Sequence, residues 1–343
     1  MPSILEKFCN PFKRRERTNR MRIDGLLVVD KPGGITSLDV VREIKARFLI
    51  KKAGHIGTLD PFATGVLPVA VNEGTKLIPF LQEDPKDYEA VMKIGEETRT
   101  DDLTGEIVKR GPWEDLAPEI IRTVFKSFLG KIWQTPPMFS AVKIKGKPLY
   151  RMARKGIEIE RQEKEVQVYD LQVREIDLPM VHFRVSCSKG TYIRALARDI
   201  GKRIGCGAHL VSLRRTRSGL FSLERAISME KLKTLPGDEP FHASLIPLRE
   251  VLHGFPEVIG DERLIRKVRY GKEMIVGDLD PQTLPPFEEG QWIKMSSPEE
   301  GLVAILKSAL RGGEIGKADP DRVALRPIRV FQHGKRLLKE YPI

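Results

Sequence analysis

Short apolar runs and one amphipathic stretch organise the chain after residue 22. Residues 25–30 are rich in leucine and valine, a composition typical of a buried strand. Residues 31–34 interrupt this run, and Thr36 with Asp39 matches the capping box that begins a helix. Apolar residues then recur at helical spacing as far as Phe48. The pattern predicts a strand, a glycine turn and a helix, without the glycine spacing of a nucleotide-binding loop.

Period-two and helical patterns alternate through the middle of the chain. The predicted strands are 88–94, 165–173 and 182–187. The predicted helices are 118–129 and 191–204. Between these elements, residues 134–165 are rich in lysine, arginine, proline and glycine, and we interpret them as a basic, partly irregular insertion with one short helix near 149–155.

The last third of the chain changes character after a break near residues 237–256. Short apolar pieces separated by Gly, Pro and Asp turns follow at 274–276, 292–295, 302–307 and 323–331. Several short strands at such spacing predict a small β-barrel. The predicted organisation is a basic flexible extension over 1–22, a main domain over 23–250 and a small domain over 251–343.

The charge of the chain favours a polyanionic partner. Lysine and arginine number 59 against 47 acidic residues, a net charge of +12. Nucleic acid is the commonest partner of such a protein. Residues 1–22 alone carry seven bases and two acids, and they either contact nucleic acid or form a solvated tail. Residues 251–343 are nearly neutral, at +1.

Other protein classes are disfavoured. The three cysteines, Cys9, Cys187 and Cys206, are odd in number and far apart, so neither a disulfide framework nor a paired-cysteine zinc site is predicted. Cys206 and His209 have a metal-like spacing but no accompanying ligands, so we predict no metal. Neither a membrane span of about 20 apolar residues nor a signal peptide is found. A reducing, cytoplasmic location is expected.

The densest group of chemically informative residues runs from 54 to 68. It combines glycines and prolines, which fix backbone shape and permit close approach of a ligand, with His55 and Asp60. Pro61 disfavours a helical conformation at Asp60 and leaves its carboxylate on a turn. The residues alone leave two interpretations open: a reactive carboxylate on a shaped loop, or an ordinary Asp-Pro turn with His55 as a hydrogen-bonded turn residue.

A second group, residues 188–194, lies between the predicted strand 182–187 and the helix that follows. Because a helix N-terminus favours anions, Arg194 at this point is suited to bind a carboxylate or a phosphate with two hydrogen bonds. The alternative is an arginine on the helix surface.

Several segments together resemble the TruB family of pseudouridine synthases, which includes the bacterial stand-alone tRNA pseudouridine-55 synthases. His55-x-Gly-Thr-Leu-Asp60-Pro-x-Ala-Thr-Gly65-x-Leu-Pro68 is similar to the central motif of the family. Similar segments in matching order are 31–37, 87–95, 136–156, 187–194 and 205–215. The resemblance covers about residues 23–230.

The resemblance implies an α+β pseudouridine-synthase fold, with a mixed, largely antiparallel sheet and helices, followed by a PUA-like RNA-binding β-barrel. It implies isomerisation of uridine to pseudouridine at position 55 in the T-loop of tRNA, without a cofactor or metal. Asp60 would act as nucleophile at C1′ or as base at C2′, and Arg194 would pair with it. The residues implied to contact the substrate are His55, Tyr88, Tyr192, Leu213 and Lys31.

Two other functions compete with this one: a T-arm-binding RNA folding or assembly factor, and a guide-RNA-dependent relative inside a ribonucleoprotein. The presence of Asp60, Tyr88 and Arg194 favours an enzyme, because a pure RNA binder gains nothing from a carboxylate facing a polyanion. The insertion at 134–165 favours stand-alone recognition of the T-arm. We therefore expect a monomer without an obligatory protein partner, acting away from membranes.

Overall fold

The computed structural model describes residues 23–81, 85–140, 142–144, 146–236 and 238–332. The predicted basic extension over 1–22 lies outside these residues, as do Lys145 in the insertion and the last 11 residues of the predicted small domain. Among the helices of the described residues, none combines the length and the apolar character needed to cross a bilayer.

Strands and short helices alternate along the described residues. The strands are β1 (Gly25–Lys31), β2 (Ala53–His55), β3 (Thr64–Val71), β4 (Lys86–Ile94), β5 (Glu96–Thr98), β6 (Ile107–Arg110), β7 (Gly130–Gln134), β8 (Lys143–Ile144), β9 (Lys147–Pro148), β10 (Lys164–Asp177), β11 (Met180–Cys187), β12 (Ala208–Ser218), β13 (Phe221–Ser222), β14 (Ile227–Ser228), β15 (Glu257–Ile259), β16 (Met274–Ile275), β17 (Trp292–Ser297), β18 (Gly301–Ser308) and β19 (Val323–Val330). The α-helices are α1 (Ser37–Arg47), α2 (Ile78–Leu81), α3 (Pro118–Lys126), α4 (Leu149–Ala153), α5 (Ile193–Ile204), α6 (Met229–Thr234), α7 (Asp238–Ala243), α8 (Leu248–Val251) and α9 (Glu262–Arg269).

A ten-stranded sheet forms the centre of the main domain. Its order is β14-β1-β3-β12-β4-β11-β10-β7, with β2 added to β3 and β13 added to β12. Within this sheet only β1 with β14 and β3 with β12 pair in parallel, and the other pairs are antiparallel. The predicted α+β class, with a mixed and largely antiparallel sheet, is confirmed.

Alternation along β4 shows how this sheet divides polar from apolar side chains. Tyr88, Ala90 and Met92 are buried in the main hydrophobic cluster together with residues of α1 and α5. Asp87 and Glu89 point to the opposite face and are partly exposed. The helices therefore cover one face of the central strands, while the other face carries polar side chains.

Two predicted helices, α1 and α5, are confirmed with small changes in their ends. The capping box of α1 is confirmed, because the Thr36 hydroxyl accepts from the Asp39 N–H at 3.1 Å and the Asp39 carboxylate accepts from the Thr36 N–H at 3.1 Å. Helix α5 begins at Ile193, two residues later than predicted, and ends at Gly205 in the left-handed conformation with φ 104°. Arg194, in the first turn of α5, is buried.

The predicted small β-domain is a five-stranded sheet in the order β15-β17-β18-β19-β16, with α9 beside it and a hydrophobic core of its own. A third cluster joins this sheet to the central one through Leu26 and Val28 on one side and Leu302 and Phe331 on the other. In addition, the Lys76 ammonium donates to the Val330 carbonyl at 2.7 Å. The small domain therefore packs directly against the main one.

Candidate active site

The loop that carries Asp60 joins β2 to β3 and is held on both sides of that residue. The Ser37 hydroxyl donates to the Leu59 carbonyl at 3.1 Å and accepts from the Leu59 N–H at 2.9 Å. The Pro61 carbonyl accepts from the Gly34 N–H at 2.8 Å. Because both neighbours of Asp60 are bonded to the segment that begins α1, the carboxylate stands on a fixed turn.

The other side of this loop packs on β12 through Arg215. Its guanidinium is almost fully buried and donates to the carbonyls of Val66 at 2.7 Å and Gly57 at 3.0 Å. Gly65 passes so close that a Cβ atom there would lie 2.2 Å from the Arg215 carbonyl oxygen, and its φ is +102°. Only glycine allows this approach, which explains one glycine of the 54–68 motif.

Lys31 lies beneath the loop rather than at an open surface. It is fully buried, and its ammonium donates to the carbonyls of Pro32, Ile35 and Pro61 at 2.8, 2.7 and 3.2 Å. Burial lowers the pKa of Lys31 to about 8, although the negative charge of Asp60 opposes this shift. All three N–H groups of Lys31 are therefore bonded to the chain. The implied contact of Lys31 with the substrate stays a prediction.

The structure brings Arg194 and Asp60 together in a two-pronged pair. Arg194 donates from Nε to Oδ2 at 2.8 Å and from Nη2 to Oδ1 at 3.0 Å. The other guanidinium contacts are the carbonyls of Thr100 and Phe139, at 2.9 and 2.8 Å, and the Asp102 carboxylate at 3.4 Å. The Arg194 side chain is 3% exposed but that of Asp60 is 31% exposed. The arginine is a buried clamp, whereas the carboxylate remains accessible.

Opposing influences act on the Asp60 carboxyl. Burial raises its pKa above the ordinary aspartate value, and the charge and hydrogen bonds of Arg194 oppose this rise. The nearby Asp102 carboxylate adds to the rise, while Lys31 opposes it. Arg194 is therefore the principal group that favours the ionised, acceptor form of Asp60.

Tyr88 and Leu213 lie on the helix-covered side of the sheet. Tyr88 in β4 is opposite Arg215 in β12, and Leu213 is opposite Ala90. Both side chains are buried. Burial raises the pKa of Tyr88 despite the nearby Arg215, so its hydroxyl is neutral. The charge of Asp60 also acts on this hydroxyl, which places the Tyr88 ring in the surroundings of the carboxylate.

His55 and Tyr192 border the same region. His55 ends the short strand β2, and its Nδ1 is buried without a hydrogen-bond partner among the described residues. Burial, with Arg215 nearby, lowers the pKa of His55, so the imidazole is neutral. Tyr192 is the residue before α5, and burial raises the pKa of its hydroxyl. The His55 ring therefore lies near Arg215, and the Tyr192 ring lies near the Asp60–Arg194 pair.

The basic insertion begins beside this pair. Its short hairpin, β8 with β9, leads into α4, which ends at Ala153, two residues before the predicted end at 155. The Leu149 N–H donates to the Val142 carbonyl at 2.8 Å, which closes the hairpin onto the helix. Among the described residues of the insertion, the exposed bases are Lys147, Arg151, Arg154, Lys155 and Lys164.

Two buried charged residues of the site were missed by the sequence reasoning. Asp102 lies in the turn between β5 and β6, where its carboxylate accepts from the Thr104 N–H at 2.9 Å and contacts Arg194. Arg215, at the end of the similar segment 205–215, was assigned no role, yet it is buried against the loop. One feature of the sequence could have pointed to the burial of Arg215, namely its position within a segment that resembles a family motif. Asp102 has none, because acidic residues are common in surface turns.

Other candidate features lie away from Asp60. Within the described part of the chain, no three His, Cys, Asp or Glu side chains converge as metal ligands. His209 instead lies with Nδ1 3.1 Å from the Glu96 carbonyl. A cavity of about 590 Å³ opens on the polar face of the sheet, beside Glu89 and Arg184, and Asp60 does not line it.

Family comparisons match this geometry to a known class of protein. The model described as "TruB family pseudouridylate synthase (N terminal domain)" matches residues 45–193, which include Asp60. The model described as "tRNA pseudouridylate synthase B C-terminal domain" matches residues 194–255, which begin at Arg194. The class defined by the fold and site is thus a pseudouridylate synthase.

Individual relatives agree over most of the chain. The chain is 53% identical over 238 residues to the tRNA pseudouridine synthase B of Geobacter sulfurreducens, covering 66% of this chain and 78% of the relative. It is 43% identical over 310 residues to the protein of the same name from Syntrophus aciditrophicus, covering 90% and 99%. The chain belongs to the TruB family.

The solved structures that match support the same fold. A crystal structure of a Cbf5-Nop10-Gar1 complex contains a chain with a TM-score of 0.68 and 30% identity, covering 90% of this chain and 85% of the other. A chain in an H/ACA RNP bound to a substrate RNA has a TM-score of 0.66 and 28% identity. The implied pseudouridine-synthase fold, with its small C-terminal β-domain, is confirmed.

Proposed function

We propose that this chain converts uridine to pseudouridine at position 55 in the T-loop of tRNA, with Asp60 as the catalytic carboxylate. The observation that carries the proposal is the Asp60–Arg194 pair, in which a buried guanidinium holds a partly exposed carboxylate with two hydrogen bonds. We further propose that the protein acts in the cytoplasm as a monomer, without an obligatory protein partner.

The reaction is an isomerisation, so its atoms balance without a co-reactant or cofactor. The N1–C1′ bond of uridine breaks, the uracil turns, and a C5–C1′ bond forms while a proton leaves C5 and N1 gains one. Asp60 acts either as a nucleophile at C1′ or as a base that removes the C2′ proton. Both routes need the ionised carboxylate that Arg194 favours.

The other site residues suit a flipped nucleotide. Extruding a base costs a few kcal/mol, least where the base lies in a loop, and stacking on an aromatic ring returns roughly 1–3 kcal/mol. We propose that Tyr88 stacks on the uracil, that Leu213 and Tyr192 border it, and that neutral His55 fills the space it vacates. Lys31 is proposed to hold the Asp60 loop from below.

The direct test uses the purified protein with one unmodified tRNA transcript, assayed for pseudouridine at single-nucleotide resolution. We expect modification at position 55 alone, with no guide RNA or second protein added. Binding without any modification would favour the T-arm-binding folding factor. Modification only after a guide RNA is supplied would favour the guide-dependent relative.

The basic insertion gives a salt-dependent prediction. If Lys147 and Arg151 neutralise phosphates of the T-arm, replacing both by alanine should weaken binding and flatten the slope of log affinity against log salt by roughly 0.7–0.9 per lost contact. The modified position should not change, because phosphate contacts do not read sequence. A matched control replaces the exposed Arg122 and Lys126 of α3 by alanine. Equal slopes for the wild type and the insertion variant would show that Lys147 and Arg151 do not neutralise phosphates of the T-arm.

The pH dependence of the single-turnover rate gives a further prediction. Because the pKa of Asp60 is raised, the active ionised form should be lost, as pH falls, at a higher pH than an ordinary aspartate of about 3.9. On the alkaline side the rate should fall through about pH 8, where Lys31 loses a proton that bonds the loop. Rates measured with saturating enzyme should give a bell-shaped profile. We call the fall in rate on the acidic side of this profile its acid limb. An acid limb centred at or below about pH 4 would contradict the assignment to Asp60.

A further inference from the structure

Gln134 forms a buried double hydrogen bond with the residue that precedes α5. Its side chain is 1% exposed, and its amide oxygen accepts from the Tyr192 N–H at 3.1 Å while its amide nitrogen donates to the Tyr192 carbonyl at 3.3 Å. A primary amide carries one acceptor and one donor side by side, so it pairs with the backbone of a single residue much as a neighbouring strand would. No charged or purely apolar side chain of this size can do so.

The position of Gln134 makes this contact more than local. It is the last residue of β7 and the first of the basic insertion, while Tyr192 lies two residues before Arg194. Two further bonds join the same pair of segments: Arg198 donates to the Thr135 carbonyl at 3.2 Å, and Arg194 donates to the Phe139 carbonyl at 2.8 Å. Three of the first six residues of the insertion, Gln134, Thr135 and Phe139, are therefore bonded to the start of α5 or to the residue before it.

We propose that Gln134 is a positioning residue, which fixes the start of α5 against the base of the insertion and thereby holds Arg194 in its two-pronged contact with Asp60. The inference rests on the proposed function of the Asp60–Arg194 pair. In this proposal Gln134 does not contact the substrate.

The physical basis is that the Arg194 guanidinium donates hydrogen bonds to two separate segments, the Asp60 loop and the base of the insertion. One guanidinium nitrogen, Nη2, bonds both Asp60 and the Phe139 carbonyl. If the base of the insertion shifts relative to α5, these two acceptors can no longer both be reached, and the contact with Asp60 lengthens or tilts. Displacements of about 1 Å in such constellations can cost about 10²-fold in rate. Gln134 resists this shift because it bonds the backbone of Tyr192, the residue directly before α5, rather than a long side chain.

The test compares Gln134→Met, which keeps the side-chain length and removes both hydrogen bonds, with Gln134→Glu, which keeps only the acceptor. Gln172→Met is the matched control, because Gln172 is an exposed glutamine of β10 whose amide nitrogen donates to the Asp170 carboxylate. We expect the single-turnover rate of Gln134→Met to fall roughly 10- to 100-fold. Gln134→Glu should lose at least as much, because its second carboxylate oxygen would face the Tyr192 carbonyl at a buried position. Affinity for the tRNA transcript should stay within about threefold, since phosphate contacts carry most of it.

The pH profile separates positioning from a general loss of structure. A protein that is merely less stable has a smaller active fraction, but its acid limb stays where it is. If Gln134 positions Arg194, the guanidinium opposes the raised pKa of Asp60 less well in the variants, and the acid limb should move to higher pH. Gln172→Met should leave both the rate and the limb unchanged. Gln134→Leu, which also removes both hydrogen bonds and adds no charge, provides the same comparison if Gln134→Met does not fold.

Two results would overturn the proposal. One is a wild-type rate in a folded Gln134 variant, and the other is a loss of rate that is matched by a loss of affinity while the acid limb does not move. Both outcomes leave the proposed function intact, because the wild type and Gln172→Met still form pseudouridine. If the wild type formed no pseudouridine, that result would instead contradict the proposed function itself.

Discussion

Asp60→Asn should abolish pseudouridine formation while leaving tRNA binding nearly intact. Asparagine keeps the shape of the side chain but carries no charge, and it presents an N–H₂ group to the Arg194 guanidinium in place of one acceptor oxygen. As a base, the carboxylate contributes about 10²–10⁴-fold to the rate, and as a nucleophile it cannot be replaced by an amide at all. The single-turnover rate should therefore drop by at least about 10²-fold. Affinity for a polyanion should not fall, because the change removes a negative charge.

Glu89→Gln is the matched control for this variant. Glu89 also pairs with an arginine, Arg184, on the same sheet, but on the opposite face and in solvent. The same acid-to-amide change there should leave turnover within about twofold of wild type, as is usual for an exposed ion pair. Turnover by Asp60→Asn above about one tenth of the wild-type rate, in a preparation free of the host enzyme, would refute the catalytic role of Asp60.

The sequence predicted the elements whose patterns are local. Alternation identified β11, helical spacing identified α1 and α5, and the boundaries differ by a few residues where caps or fraying decide them. The Asp60 loop was also recognisable from the sequence. Close backbone contacts such as that between Gly65 and Arg215 require glycine, so they appear as glycines in the motif. Each of these features depends on residues that are close together in the chain.

The contacts that complete the site are different, because they join segments far apart in the chain. Gln134 reaches Tyr192 across 58 residues, and Arg215 reaches Gly57 across 158. Neither partner shows in its own neighbourhood that it will be buried, and single lysines and arginines are usually exposed. Lys31 is a further example, because its burial beneath the loop and the bonds of its ammonium to three carbonyls could not be predicted from the sequence.

Arg194→Ala should damage both activity and stability, which distinguishes it from Asp60→Asn. Removing the guanidinium leaves the partly buried Asp60 and the buried Asp102 facing each other without their shared partner. Breaking a buried ion pair by deleting one member typically costs about 3–5 kcal/mol of unfolding free energy, and the 31% exposure of Asp60 places this case at about 3 kcal/mol or below. The acid limb of the rate should also rise, because burial raises the pKa of Asp60 and Arg194 opposes that rise.

Arg194→Lys separates charge from geometry. Lysine supplies a positive charge but no planar fork, so it cannot bond both oxygens of Asp60 while also reaching the carbonyls of Thr100 and Phe139. We expect it to recover part of the lost stability and little of the lost rate. The measurements are urea unfolding, single-turnover rate and tRNA affinity for the two variants. If affinity collapsed while the single-turnover rate of bound RNA held, Arg194 would act as a phosphate ligand, and the orienting role assigned to it here would be wrong.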